Sequence, residues 1–216
     1  MNPRLLILDL DGTLYHQTPV RILNALKILF SLTCSPSTAS EIRIVRRYRV
    51  LREVFSAQWK PIAEVESVLA AEEGMTWEEI RIIRDKWMVN QQATIVRIAR
   101  RRWLLKNVQE LQQKGVQTAI LSDYPIPHKI SQLRINPTFT VCSEDKRIKF
   151  AKPHPSGVQE IIKLSGCLPA EILFIGDRED RDGAAALIAG VQFLMVGREA
   201  KKTLNHLLRQ LDGEPK

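Results

Sequence analysis

Two aspartates one residue apart, Asp9 and Asp11 in the stretch LLILDLDGTLYH, are the first residues of this chain with chemistry to offer. Four aliphatic residues, Leu5 to Leu8, run straight into them. In a nearly extended chain, residues two apart project to the same side, so the two carboxylates crowd together, and close like charges resist ionising together. A positive group has to sit beside them. A hard divalent cation with oxygen ligands is the simplest remedy, and Mg2+ uses one or two carboxylates together with water and phosphate oxygens. The plainer alternative for a bare Asp-x-Asp-Gly is an ordinary turn that Asp9 caps, so the rest of the chain has to decide.

Three further strand-end or loop segments carry polar groups. Ser122 closes AILS, where its hydroxyl and the backbone N–H of Asp123 could hold a phosphate oxygen, although a lone serine at a turn more often caps locally. Lys152 lies in AKPHP, where Pro153 and Pro155 limit the paths open to its stem; a lone lysine is usually solvated. FIGDREDRDG ends an aliphatic run with Gly176-Asp177 and places Asp182 five residues beyond Asp177. On its own that pattern is an acidic turn whose Asp182 caps the helix after it.

The elements that must position these groups follow from the apolar pattern. Leu5 to Asp9 reads as a strand covered on both faces, the kind found in parallel sheets, whose carboxyl end is where ligands bind. From Pro19 to about Trp103 the pattern is helical throughout: Pro19–Thr33, Thr38–Ala57 with Ile44, Tyr48, Leu51 and Phe55 on one side, a helix opened by Pro61 and ended by Gly74, one opened by the capping box at Thr76-Trp77-Glu78-Glu79, and one through IVRIARRRW. From Trp103 strands and helices alternate: VQTAILS, FTVC, EILFIG and VQFLMV read as strands, with helices between and after them. That alternation is the signature of a doubly wound parallel α/β sheet, and the helical stretch reads as an insertion into it.

With 44% apolar and 26% charged residues among 216, the composition is that of an ordinary globular protein large enough to bury a sizeable core. No apolar run approaches the ~20 residues a membrane span needs. No small-residue cleavage pattern follows Arg4, and three cysteines without a CxxC pair suggest reduced thiols packed in or near the core, so the expected location is cytoplasmic. The net charge of +8 is uneven: residues 15–103 hold 15 Lys/Arg and 9 Asp/Glu, a net of +6.

Together, Asp9-x-Asp11-Gly12-Thr13, a strand-end serine, a Lys-Pro and Gly176-Asp177-x-x-x-x-Asp182, in this order and each after the expected element, resemble the haloacid dehalogenase (HAD) superfamily of phosphohydrolases. The likeness covers residues 1–14 and about 104–216, and the phrases SEDKRIKFAKPHP and DGAAALIAGV are similar to those of its phosphoglycolate-phosphatase and β-phosphoglucomutase branch. The resemblance implies a Rossmann-like core of 1–14 and 104–216 with a helical cap at 15–103, hinged near Leu14–Gln17 and Arg102–Lys106. It implies that Asp9 attacks phosphorus to form an aspartyl-phosphate and that Asp11 serves as general acid and then general base. Mg2+ would be held by the carboxylates of Asp9 and Asp177 and the backbone carbonyl of Asp11, with Asp182 behind them. Ser122, Lys152 and the N–H groups of Leu10, Asp11 and Asp123 would hold the phosphate.

Asp11 separates the chain from the dehalogenase branch, which lacks the second aspartate. The implied activity is a Mg2+-dependent phosphatase acting on a small anionic phosphomonoester. A phosphomutase, a phosphatase or phosphotransferase for nucleotides or nucleic-acid ends, and an idle binding protein stay open. Arg178 stands where many of this branch have Ser or Thr, and pairing with a nearby acid is its simplest role. The basic cap suits an anionic leaving group or a nucleic-acid surface, yet a row of arginines on an amphipathic helix is most often a solvated face. A small phosphorylated metabolite is therefore the expected partner, ahead of nucleic acid and with no membrane; monomer and homodimer are both open.

Overall fold

The computed structural model describes residues 3–90 and 93–213. Five parallel strands form one sheet in the order β3-β2-β1-β4-β5: β1 Leu5–Asp9, β2 Gln117–Ser122, β3 Phe139–Cys142, β4 Ile172–Gly176 and β5 Gln192–Met195. β1 lies at the centre, paired with β2 on one side and β4 on the other, so every residue of its run is buried. Its side chains alternate between two cores. Leu6 and Leu8 pack with Leu104, Val108 and Leu111 of α6 (Arg102–Gln113) and with Leu204 and Leu207 of α10 (Arg198–Leu211). Leu5 and Ile7 face the other way, toward Phe174, Val158 and Ile161 of α8 (Ser156–Ser165), and Ala185 and Ala186 of α9 (Ala184–Ile188). Each such aliphatic side chain contributes about 1.5–3 kcal/mol on burial. The register anchored this way puts Asp9 level with Leu121, one residue short of Ser122.

Between β1 and α6 the chain makes α1 (Gln17–Cys34), α2 (Ser37–Ala57), α3 (Glu64–Glu73), α4 (Trp77–Arg84), a π turn at Asp85–Asn90 and α5 (Ala93–Ile98). These helices have a core of their own, built on Ile44, Tyr48, Phe55, Leu69, Ile80 and Trp87. The capping box forms as its spacing predicts: Thr76 Oγ1 accepts from the Glu79 N–H at 3.2 Å and Glu79 accepts from the Thr76 N–H at 2.8 Å. Gly74 ends α3 in the left-handed conformation.

Several local details differ from the sequence pattern. Pro61 stands ahead of α3, which starts at Glu64, because the following N–H, that of Ile62, bonds across to the Lys149 carbonyl. The helix expected through IVRIARRRW stops at Ile98: His16 N–H bonds the Ala99 carbonyl and Arg101 N–H bonds the Leu14 carbonyl, so the two chain crossings between helices and sheet pair with each other. The second crossing is thus at Ala99–Arg101, and Arg102–Lys106 is the start of α6. Along α1, which packs against α2 and α5, only Val20 is buried, and Leu26, Leu29 and Phe30 are exposed. Among the cysteines, Cys167 is buried but Cys34 is exposed. No helix among the described residues is long and apolar enough to cross a membrane.

Candidate active site

The acids named from the sequence meet at the carboxyl ends of the central strands. Asp9 closes β1, and Asp177 follows the last residue of β4. Asp182 sits in the π turn Glu179–Gly183 just beyond and is fully buried. One carboxylate oxygen from each of Asp9, Asp177 and Asp182 lies within 4.8 Å of the others. Two glycines permit this approach. A Cβ on Gly12, whose φ is +99°, would stand 1.9 Å from Asp177 Oδ2, and one on Gly176 would stand 2.4 Å from Asp182 Oδ2. The Thr13 hydroxyl donates to Asp9 Oδ2 at 3.0 Å, and Arg101 braces the turn through the carbonyls of Gly12 and Thr13, both at 2.9 Å.

Lys152 is buried in the middle of the acids. Its ammonium is 2.5 Å from Asp9 Oδ1, 2.6 Å from Asp182 Oδ1 and 4.0 Å from Asp123 Oδ2. Its backbone is fixed as well: its N–H donates to Asp123 Oδ1 at 3.1 Å, and Arg181 donates to its carbonyl at 2.6 and 3.0 Å. Burial disfavours the charged ammonium, but Asp9, Asp123 and Asp182 outweigh it and hold Lys152 above its ordinary range. Burial pushes Asp9 well up, with Asp182 and Asp11 adding to it and Lys152 opposing. Asp177 is also raised, by burial and by Asp182. No ammonium or guanidinium lies within 4.0 Å of the Asp177 carboxylate among the described residues.

These donors fit a hard divalent cation. Three carboxylates converge, two of them raised by burial and mutual repulsion, and a bound cation is what brings such groups back down. The Asp11 carbonyl accepts from Gln17 Nε2 at 2.8 Å, which leaves it a second lone pair.

Asp11 itself meets two partners that the sequence did not announce. Lys129, on α7 (Pro127–Leu133), is 3% exposed and places its ammonium 2.6 and 2.9 Å from the two Asp11 oxygens. The Tyr15 hydroxyl donates to Asp11 Oδ1. Burial works against an ionised Asp11, yet Lys129 and then Tyr15 overcome it, and the carboxyl is held below its usual range. Tyr15 lies four residues past Asp11, a spacing that could have suggested contact in a turn; nothing in PHKISQL distinguishes Lys129 from a surface lysine.

Ser122 ends β2 beside this group and is 1% exposed; its hydroxyl accepts from the Tyr124 N–H at 3.2 Å, the local capping role. Leu10 is buried in the core with Leu8 and Leu14. Arg178 pairs with Asp180 at 2.7 Å. The arginine row of α2 divides: Arg43 and Arg47 pair with Glu73 and Glu72, while Arg52 is buried and donates to Ser143 Oγ at 2.5 Å and to the Asp123 carbonyl. Helices and sheet together line an open cavity of about 760 Å³ over Asp9, Asp11, Lys152 and Asp177.

Residues 3–190 match the family model for haloacid dehalogenase-like hydrolases. The chain belongs to this hydrolase family. Among curated relatives, it is 26% identical over 198 residues to a protein named phosphoglycolate phosphatase from Pseudomonas putida, covering 88% of this chain and 68% of that one. Among solved structures it is similar to the HAD-hydrolase YfnB of Bacillus subtilis, described as bound to magnesium, with a TM-score of 0.60 at 16% identity over 89% of this chain and 86% of that one. It is also similar to L-2-haloacid dehalogenase from Xanthobacter autotrophicus, with a TM-score of 0.57 at 17% identity over 99% of this chain and 84% of that one. At these identities the structural likeness establishes the fold.

Proposed function

We propose that the chain is a Mg2+-dependent phosphatase that hydrolyses small anionic phosphomonoesters through an aspartyl-phosphate at Asp9, acting in the cytoplasm. The observation that carries this reading is the buried contact of Lys152 with both Asp9 and Asp182, with Asp177 in reach of the same point. A lysine clamped between two acids fixes one Asp9 oxygen and balances charge in a site that must also receive a dianionic phosphoryl group. The name of the Pseudomonas putida relative supports the same chemistry.

In this reading an Asp9 carboxylate oxygen attacks phosphorus in line with the ester oxygen, whose bond to phosphorus breaks. Asp11, whose ionised form Lys129 and Tyr15 favour, first takes up a proton from solvent and gives it to the departing alkoxide, then removes a proton from the water that attacks the aspartyl-phosphate, which releases inorganic phosphate and restores Asp9. Lys129 and Tyr15 hold the Asp11 carboxyl in one orientation throughout. Lys152, Ser122 and the N–H groups of Leu10, Asp11 and Asp123 steady the phosphoryl oxygens. Mg2+, held by the carboxylates of Asp9 and Asp177 and the Asp11 carbonyl with Asp182 supporting, would supply positive charge to those oxygens and to the crowded acids. Residues 15–103 serve as the cap on a core of 1–14 and 104–216, excluding bulk water from the first step.

The test is phosphate release from a panel of phosphomonoesters with Mg2+, without it, and with a chelator. Release that needs both the metal and Asp9 supports the reading. Release that persists in Asp9→Asn rejects it.

A further inference from the structure

The wall of the cavity that faces away from Asp9 has chemistry of its own. A volume of about 760 Å³ is within the range of pockets that enclose drug-sized ligands. It is measured with the helices docked on the sheet: Arg52 is buried against Ser143, and Arg181 grips Glu53 at 2.9 and 3.0 Å. A two-carbon leaving group would leave most of that space empty.

Two helices line the wall with stripes at helical spacing. α2 turns Val45, Arg46 and Arg49 inward. Arg46 and Arg49 are one turn apart, and among the described residues neither has a carboxylate within 4.0 Å, although Arg43 and Arg47 on the same helix both do. Two solvent-accessible guanidinium groups left unneutralised at one side of the cavity can meet an anion. α1 contributes Asn24, whose Oδ1 is buried and has no hydrogen-bond partner. An orphaned buried acceptor is costly unless a donor arrives to meet it. Trp87, 6% exposed, and Val45, 7% exposed, give the space an apolar side.

We propose that the leaving group is a mid-sized, partly apolar alcohol carrying a second anionic group, bound by Arg46 and Arg49, and a hydrogen-bond donor that Asn24 accepts. This rests on the phosphatase reading for the reacting end and goes beyond it at the other. Phosphoglycolate has the second anion without the body, and a nucleoside monophosphate has the body without the second anion. The preferred substrates have both.

The test measures kcat/KM with Mg2+ for phosphoglycolate, glycerol phosphate, p-nitrophenyl phosphate, a nucleoside monophosphate and the matching nucleoside bisphosphate, in the parent and in Arg46→Gln/Arg49→Gln. Both arginines are exposed, and circular dichroism verifies that the double variant folds. The expected preference for the two-headed ester over its single-headed match is about 30-fold, roughly 2 kcal/mol, carried in KM and falling to about threefold or less in the double variant. A two- or three-carbon ester as the best substrate, or a preference the double variant leaves intact, overturns the proposal. If the parent hydrolyses nothing, the phosphatase reading fails, and calorimetric binding of the same compounds to Asp9→Asn decides the inference alone. Preference for the two-headed compound, lost on removing the arginines, supports it, and equal binding of all overturns it.

Discussion

Lys129 Nζ lies 2.6 Å from one carboxylate oxygen of Asp11 and 2.9 Å from the other, in a contact that spans 118 positions of sequence. With the Tyr15 hydroxyl on the same carboxylate, Asp11 has its orientation set from two sides. Lys129 is thus a positioning residue for the proposed acid and base. Lys129→Met is expected to lower kcat by about 10- to 100-fold with a smaller change in KM. An alkyl ester, whose leaving group needs a proton, should lose more than p-nitrophenyl phosphate, whose leaving group does not. A residue with only a packing role would slow both alike, and comparing the two esters checks this.

Gly12→Ala tests the closeness of the first and fourth strand ends. The added Cβ would fall 1.9 Å from Asp177 Oδ2, and the backbone there has φ +99°. The expected results are a stability loss of about 1–3 kcal/mol from the strained backbone and a Mg2+ affinity at least about tenfold weaker from the displaced carboxylate. Denaturant melts and calorimetric Mg2+ titration measure the two effects separately.

Arg181 joins the helical segment to the catalytic lysine: it grips both oxygens of Glu53 on α2 and the Lys152 carbonyl. Glu53 is 54% exposed, so Glu53→Gln should cost less than about 1 kcal/mol. Arg181→Met removes both bonds to a buried carbonyl and should cost about 1–3 kcal/mol, with a drop in kcat from the loosened Lys152. Urea unfolding of the two variants should show this order.

Glu41 gives a pH dependence remote from the catalytic acids. Burial opposes its ionised form, but Lys86 and Trp87, donating at 2.6 and 2.7 Å, prevail and hold the carboxyl below its usual range. A group depressed in the folded state stabilises above its unfolded value, about 4.3 for Glu, and that contribution disappears as pH falls through the lower folded value. The parent should therefore exceed Glu41→Gln in Tm at pH 7 by an amount worth about 1 kcal/mol or less, and the gap should close in acid. Thermal melts across pH measure it.

The ends of β1, β2 and β4 were legible in the sequence because those apolar runs stop on or just before a polar residue, and a parallel sheet brings such stops together at one edge. Asp9 and Asp177 meet there, joined by Asp182 from the turn after β4 and Lys152 from the loop after β3. Side chains that reach the site from elsewhere left no such mark. Lys129 comes from a short helix whose pattern reads as surface, and Arg101 reaches the turn carbonyls from the chain's return crossing. The charged turn after β4 illustrates both cases. Arg178 compensates locally with Asp180 as its sequence neighbourhood suggests, whereas Arg181, three residues on, serves Glu53 and Lys152 instead. Charge runs reveal that neutralisation is needed, and only packing decides which partner provides it.

The most direct test of the account is to quench the enzyme during turnover of a phosphomonoester with Mg2+, reduce it with borohydride, and map the modified residue by mass spectrometry. An aspartyl-phosphate at Asp9 predicts homoserine at position 9, absent when substrate is withheld and absent in Asp9→Asn, which should stay folded but inactive. Full turnover with position 9 unmodified, or with the modification at another residue, would contradict it.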